Sequence, residues 1–331
     1  MKQTVQTEFE QNTVSALLPA EHDRSAKDHL IVFGLITLAL IVMPMFLYPV
    51  FVMKVLCFSI YALAFNLLLG YGGLLSFGHA AYFGMASYAC AHAAKIWGFP
   101  PELAILFGAI VSAILGFVAG SLAIRRQGIY FAMITLALAQ LVYFVCVQAP
   151  FTGGEDGIQA VPRGKMFGFI DLASDSTLYV VVALIFLSTL ALIYRIIHSP
   201  FGQALKAIRE NEVRATSLGY DINRYKLAVF VLSATLTGVA GATKAIVFQL
   251  ASLTDVHWSM SGEVVLMTLV GGMGTIFGPI VGSFIITAMA NYLAPFGAWV
   301  TVIQGVVFVV CVLMFRDGII GLIGRKTGKT L

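Results

Sequence analysis

The length of its uncharged stretches limits most sharply what this chain can become. The 95 residues from Leu30 to Ile124 carry three charged side chains, Lys54, Lys95 and Glu102. The 89 residues from Leu227 to Phe315 carry three more, Lys244, Asp255 and Glu263. Soluble domains are about one quarter charged, whereas this chain is 11% charged and 59% hydrophobic. A single soluble core of this size cannot hide so much apolar surface, so lipid has to act as the solvent.

At about 20 apolar residues per crossing, ten spans are expected: 30–52, 54–70, 74–97, 102–124, 128–149, 178–197, 227–250, 257–272, 276–294 and 297–315. The first run is longer than the ~7–15-residue core of a signal peptide and reads as a retained span. The spans 54–70 and 257–272 are short and end in glycine clusters. Basic residues orient the array. With the N-terminus inside, the N-tail, the 125–126 turn, the 195–226 segment and the C-tail hold 15 of the 20 Lys and Arg residues. The outer segments hold Lys54, Lys95, Arg163 and Lys165. This is a positive-inside distribution, and it requires an even number of spans. The net charge of +4 is explained by that placement and implies no nucleic-acid partner. The predicted fold is an all-α polytopic membrane protein of about ten transmembrane helices with both termini cytoplasmic. A polar tail (1–29) precedes one transmembrane domain (30–315), and a basic tail (316–331) follows it. The longest outer loop is 150–177.

Small residues recur at helical spacing: Gly108, Ser112, Gly116 and Gly120; Ser233, Thr237 and Gly241; Gly278 and Gly282. Such ladders let helix backbones approach closely in lipid. Two weakly similar stretches, LLGYGGLLSFGHAAYFG (68–84) and TLVGGMGTIFGPIVG (268–282), each join a glycine pair to a later Phe-Gly. They read either as broken helices around a substrate path or as tight turns at the inner face. Cys57, Cys90, Cys146 and Cys311 lie far apart in apolar runs and are expected to be buried small hydrophobes. No cluster of acid, base or metal-ligating residues suggests an enzyme. GRKTGKT (324–330) has three residues between its glycines where a P-loop needs four, so no nucleotide site is expected. Lys244, near the outer end of its span, is expected to snorkel to the interface. Glu263 is a candidate for a substrate ammonium, and TGGEDG (152–157) is an outer glycine-rich turn.

Against this background SPFGQALKAIRENEVRATSLGYDINRYK (199–226) is an island of eight charged side chains in 28 residues. Ser199 and Pro200 predict a helix start. Phe201, Ala204, Leu205 and Ile208 form one apolar stripe. The pattern slips near Asn211, then Val213, Ala215 and Leu218 continue it to Gly219, a plausible C-cap, and Asp221 or Asn223 opens the next helix. An interfacial lipid helix would be mostly basic on its polar face. The mixture of Glu210, Glu212 and Asp221 with Lys206, Arg209, Arg214, Arg224 and Lys226 favours a protein partner instead.

Five segments, NLLLGYGGLLSFGHAAYFGM (66–85), GIYFAMITLALAQ (128–140), TGGEDGI (152–158), the island (199–221) and SGEVVLMTLVGGMGTIFGPIVG (261–282), carry a resemblance. Together they resemble the membrane permeases of branched-chain amino acid ABC importers, in particular the LivM-like member of the permease pair. The resemblance implies a multi-pass protein of the bacterial inner membrane that moves branched-chain or other hydrophobic amino acids inward. It implies as partners a second homologous permease, two cytoplasmic ATPase subunits and a periplasmic amino-acid-binding protein. This chain then binds no cofactor, and ATP and Mg belong to the ATPases. Candidate ATPase-coupling residues are Phe201, Gly202, Leu205, Ile208, Arg209, Glu210, Glu212, Ala215 and Gly219. The apolar ones would sit in an ATPase groove or against the bundle, while Arg209, Glu210 and Arg214 fix register. Ala215 and Gly219 fit the Glu-Ala-Ala…Gly loop of such importers, but Val213 stands where Glu is expected, with Glu212 one place off, and Arg214 stands where the first Ala is. Candidate substrate-path residues are Asn66, Ser76, His79, Tyr82, Thr135 and Glu263. The alternatives are a permease of the same family for urea or short amides, and a self-contained channel or secondary transporter.

Overall fold

A computed structural model of the chain describes residues 31–297, 299–314 and 318–321. The tail 1–29 and the basic residues Arg316, Arg325, Lys326 and Lys329 lie outside the described residues. The order is α1 (Ile31–Phe46), α2 (Pro49–Asn66) continued by a π-turn (Leu67–Tyr71), α3 (His79–Lys95), α4 (Pro101–Ala123) and α5 (Ile129–Gln148). Then come α6 (Asp175–Ile197), α7 (Pro200–Glu210), α8 (Glu212–Ser217) and α9 (Ile222–Phe248). The chain continues with α10 (Trp258–Gly271), α11 (Gly278–Tyr292) and α12 (Trp299–Met314). Each of the ten expected spans holds one helix, and α7 and α8 form the island. Among the described residues, five helices are long and apolar enough to cross a membrane: Pro49–Tyr71, Pro101–Ala123, Ile129–Gln148, Asp175–Ile197 and Ile222–Phe248. By contrast α10 has 14 residues and α11 has 15. At 1.5 Å per residue they are about 21–23 Å long, short of a hydrocarbon core of about 30 Å.

The first two spans divide at Leu47–Tyr48, not near residue 53. Pro49 takes the first helical turn of α2, where its missing N–H costs nothing. Lys54 therefore lies inside α2 and not in an outer segment.

From Phe51 to Asn66, α2 is buried at every residue except Lys54, as expected of a helix that is apolar all round. It packs on α6, α9, α10 and α11, while α9 packs on α3 and α4 as well. The predicted ladders are the seams. An added Cβ at Gly108 would lie 3.0 Å from the Ala242 methyl, and one at Gly120 would lie 2.8 Å from the Phe230 ring. Gly238 abuts Ser112, and Gly116 faces Ala234. The pairs run in opposite order along α4 and α9, so the helices are antiparallel with one glycine-set register. Gly241 of α9 rests on the Phe83 carbonyl of α3, and Gly282 of α11 on the Met267 carbonyl of α10. On its far side α4 turns Leu106, Ile110, Ile114 and Phe117 outward, the spacing of a lipid-facing helix stripe.

The loops collect at two ends, in the alternation the basic residues predict. At one end Gln127 Nε2 donates to Glu212 Oε2 (2.8 Å), joining the α4–α5 turn to the island. At the other, Lys95 Nζ donates to the Gln159 carbonyl (2.7 Å). There β1 (Ile158–Gln159) pairs antiparallel with β4 (Leu250–Ala251), and Arg163 pairs with Asp175 (2.7 Å). A second ladder joins β2 (Lys165–Met166) to β3 (Ile170–Asp171). Three residues, Phe167 to Phe169, connect the two strands; Phe167 (φ 51°) and Gly168 (φ 80°) turn the chain, and Phe169 N–H donates to the Met166 carbonyl (3.3 Å). The loop 150–177 is thus built and braced.

Because Gly241 touches backbone, Gly241→Leu is expected to lower the stability of the purified protein by about 1–3 kcal/mol or more through overpacking. Gly262 has open space around it, so Gly262→Ala serves as the neutral control. Thermal unfolding in detergent, followed by loss of the monodisperse elution peak, distinguishes them.

Candidate functional site

The polar candidates of the sequence converge where α2 breaks. After Asn66 the helix widens into the π-turn, with Gly72 N–H donating to the Leu67 carbonyl (3.2 Å) and Leu74 N–H to the Leu68 carbonyl (3.2 Å). Gly73, at φ +69°, then turns the chain in a conformation that side chains with a Cβ rarely adopt. A second break follows α10, where Gly272 and Gly274 have φ of 125° and 80°. Asn66 stitches the two breaks together. Its Nδ2 donates to the Thr275 carbonyl (2.8 Å), and its Oδ1 accepts from Gly274 N–H (3.0 Å).

The start of α3 is satisfied in the same way by side chains from other helices. Gly78 N–H donates to Ser76 Oγ (3.2 Å), and Phe77 N–H to Thr135 Oγ1 of α5 (3.2 Å). Ala80 N–H donates to Ser261 Oγ of α10 (2.9 Å). Ser233 of α9 gives its proton to the Ala64 carbonyl (2.6 Å), so His79 Nε2, 2.9 Å from Ser233 Oγ, is the donor between them. The ring lies edge-on to Phe65 and Tyr82 at 5.0 and 5.5 Å.

Asn66, Ser76, His79, Tyr82 and Thr135 are thereby gathered but fully buried. Asn66, Ser76 and Thr135 spend their hydrogen bonds on the helix breaks, whereas His79 bonds Ser233 of α9 through Nε2 and its buried Nδ1 has no hydrogen-bond partner among the described residues. Glu263 stands apart: it is half-buried on α10 and attracted by Lys54 of α2. It makes no hydrogen bond among the described residues.

On the island, Ser199 caps α7 by accepting from Gly202 N–H (3.3 Å), and Asn211 caps α8 by accepting from Arg214 N–H (2.9 Å). The slip in the apolar pattern is thus a real helix break. Asp221 opens α9, and Gly219 has φ +89°. Leu205, Ile208 and Ala215 are buried, Gly202 abuts the Ile197 carbonyl, and Phe201 stacks on Tyr225 at 5.6 Å. The apolar stripe therefore lies against the bundle. Glu212 bridges Gln127 and Lys226, whose Nζ lies 2.6 Å from it. Arg209 donates to the Gly70 carbonyl, while Glu210 is exposed. The sequence continues the apolar pattern past Asn211 through Val213, Ala215 and Leu218, but only Ala215 is buried: Val213 (78% exposed) and Leu218 (70%) face outward. Their signal was the very slip at Asn211, which rotates α8 relative to α7.

Lys244 corrects an expectation. It does not snorkel but bonds both carboxylate oxygens of Asp255 (2.8 and 2.6 Å), with side-chain exposures of 12% and 2%. Asp255 is also part of a capping box with Ser252, so this pair pins the turn after α9.

A family model described as the permease component of branched-chain amino acid transport systems matches residues 50–313. The chain is 25% identical over 329 residues to the high-affinity branched-chain amino acid transport system permease protein LivM of Escherichia coli (strain K12), covering 92% of this chain and 77% of that one. It is 27% identical over 282 residues to the probable branched-chain amino acid transport permease protein LivH of Methanocaldococcus jannaschii, covering 77% and 86%. No solved structure matches.

Breaking one partner of the Lys244–Asp255 pair leaves a buried charge. Asp255→Asn is expected to cost about 3–5 kcal/mol, and Lys244→Met with Asp255→Leu to recover most of it. Comparing the unfolding of both variants in detergent measures the difference.

Proposed function

The chain belongs to the family of branched-chain amino acid transport permease components, and from that premise we propose that it is the LivM-like half of an ATP-driven importer of branched-chain and other hydrophobic amino acids. It is a multi-pass membrane protein and a transport subunit, not an enzyme. The proposed assembly adds a second, related permease, two ATPase subunits that bind ATP and Mg, and a periplasmic binding protein. Resemblance to both LivM and LivH proteins supports the paired permeases. The proposed location is the bacterial inner membrane, with the island inside, where the basic residues accumulate.

The observation that carries this reading is the construction of the island. A helix pair at one end of the bundle is anchored by α7 and presents Val213 and Leu218 outward on α8, beside Arg214 and Glu210. Two large exposed aliphatics among mixed charges suit a protein surface. An importer whose chain carries no P-loop needs its ATPase there. In this reading α8 is the ATPase contact, and α7 belongs to the bundle. Glu263 is the proposed partner of the substrate ammonium, because it is the half-buried carboxylate within the spans that has no hydrogen-bond partner among the described residues.

Reconstitution of all subunits in proteoliposomes tests the function. Leucine uptake is expected only with ATP on the ATPase side, and uptake without ATPases would identify a self-contained carrier instead. Val213→Glu with Leu218→Glu is expected to weaken ATPase co-purification at least tenfold, the effect of losing one hot spot of about 2 kcal/mol, while the elution profile of the permease is retained. Glu263→Gln is expected to raise the KM for uptake about tenfold or more, as loss of a charged hydrogen bond would, with ATP hydrolysis retained. Unchanged uptake would remove Glu263 from the path.

A further inference from the structure

Arg209 was expected among the residues that set register on the ATPase, yet its guanidinium points the other way. Nη1 donates to the carbonyl of Gly70, in the π-turn that ends α2. That carbonyl is an orphan of the helix end, because Leu74 N–H has passed it over for Leu68. A cation is the favoured partner for such a C-terminal group. The arginine stem lies on Gly73, where an added Cβ would be 3.1 Å from Arg209 Cγ. The same Nη1 is 3.5 Å from where a Cβ would stand on Gly274. One guanidinium therefore bonds the turn after α2 and lies beside the one after α10.

The two turns are themselves in backbone contact. A Cβ on Gly70 would come within 2.7 Å of Gly274 N, and Asn66 bonds across the same gap. Beside Arg209, the Lys206 ammonium lies 5.7 Å over the Tyr71 ring, which adds a cation–π contact between the same two elements. The result is a chain of short contacts: α7, Arg209, the π-turn, the Gly272–Phe277 turn, and through them α2 and α10. Lys54 and Glu263 lie toward the far ends of these two helices.

We infer that Arg209 is the positioning residue that carries movement of the island into the paired glycine turns, so that α2 and α10 shift together when the ATPase, bound at α8, displaces the island. Both turns have left-handed glycines and no continuous helical ladder, so they can rearrange at low cost while α7 and α2 move as rigid bodies. The inference rests on the permease reading above.

The test uses the complete importer in proteoliposomes and reads amino acid taken up per ATP hydrolysed. Arg209→Ala is expected to leave an assembled complex that still hydrolyses ATP, with uptake per ATP reduced about tenfold, as loss of one charged hydrogen bond allows. Arg209→Lys, which keeps the cation, is expected to recover part of the ratio. An unchanged ratio in Arg209→Ala overturns the inference and reduces Arg209 to a helix cap. If the parent complex shows no ATP-driven uptake at all, the permease reading fails, and that result is distinct.

A covalent link covers the case in which Arg209→Ala does not assemble. An ideal Cβ on Gly73 lies 3.7 Å from Arg209 Cβ, within the ~3.5–4.5 Å span of a disulfide. In a background without the four native cysteines, Gly73→Cys with Arg209→Cys is expected to couple poorly when reduced. Oxidation is expected to raise its uptake per ATP again. No rise on oxidation overturns the inference.

Discussion

Away from water, a backbone N–H or carbonyl without a partner costs several kcal/mol, and that constraint shapes this bundle wherever a helix stops. Two helices, α2 and α10, break at glycine turns, and each break exposes groups that no continuing helix can satisfy. The side chain of Asn66 resolves both at once by bonding Gly274 and Thr275 across the gap. Ser76, Thr135 and Ser261 do the same for the start of α3. Polar residues that read as candidates for a transport route from the sequence are, in this structure, what allows α2 and α10 to stop inside the bundle and α3 to start there. The two readings of the glycine stretches, broken helices or tight turns, converge: they are tight turns at the ends of interrupted helices.

Around those breaks the rest of the bundle is stiff. The seam between α4 and α9 is set by Gly108, Ser112, Gly116 and Gly120, and α2 is enclosed on all sides. The turn beyond α9 is fixed by a buried Lys244–Asp255 pair, and the loop 150–177 is tied to it through β1 and β4. Rearrangement is therefore directed to the opposite end. There the glycine turns meet the island, and a single arginine spans the junction. In a permease of this family, force from an ATPase at α8 would pass into the segments least constrained by packing.

Fold class was legible because it follows from charge scarcity and from where the basic residues fall, and neither depends on contacts. The island's helices were legible through Ser199, Pro200 and Asn211, since caps are local chemistry. The small-residue ladders named the seams, though not which helix each seam would meet. What was hidden depended on partners distant in sequence. Nothing near Lys244 showed that Asp255, beyond the end of its helix, would fold back to it. Nothing near Arg209 showed that Gly70 would offer an unpaired carbonyl. Helical periodicity gave the face of α7 that carries Leu205 and Ile208, but the choice between bundle and ATPase required the structure. The boundary between the first two spans lies at Pro49, since a proline is stronger punctuation than a limit set by apolar length.

The central claim is directional: the island faces the compartment that holds ATP, and the Phe167–Phe169 hairpin faces the other side. Single cysteines at Val213 and at Phe169, both highly exposed in the isolated chain, report this directly in a background without native cysteines. Intact spheroplasts would be treated with a membrane-impermeant maleimide. The expected result is labelling of Phe169→Cys in intact cells and of Val213→Cys only after permeabilisation. Labelling of Val213→Cys in intact spheroplasts would place the island outside and contradict the coupling role assigned to α7, α8 and Arg209.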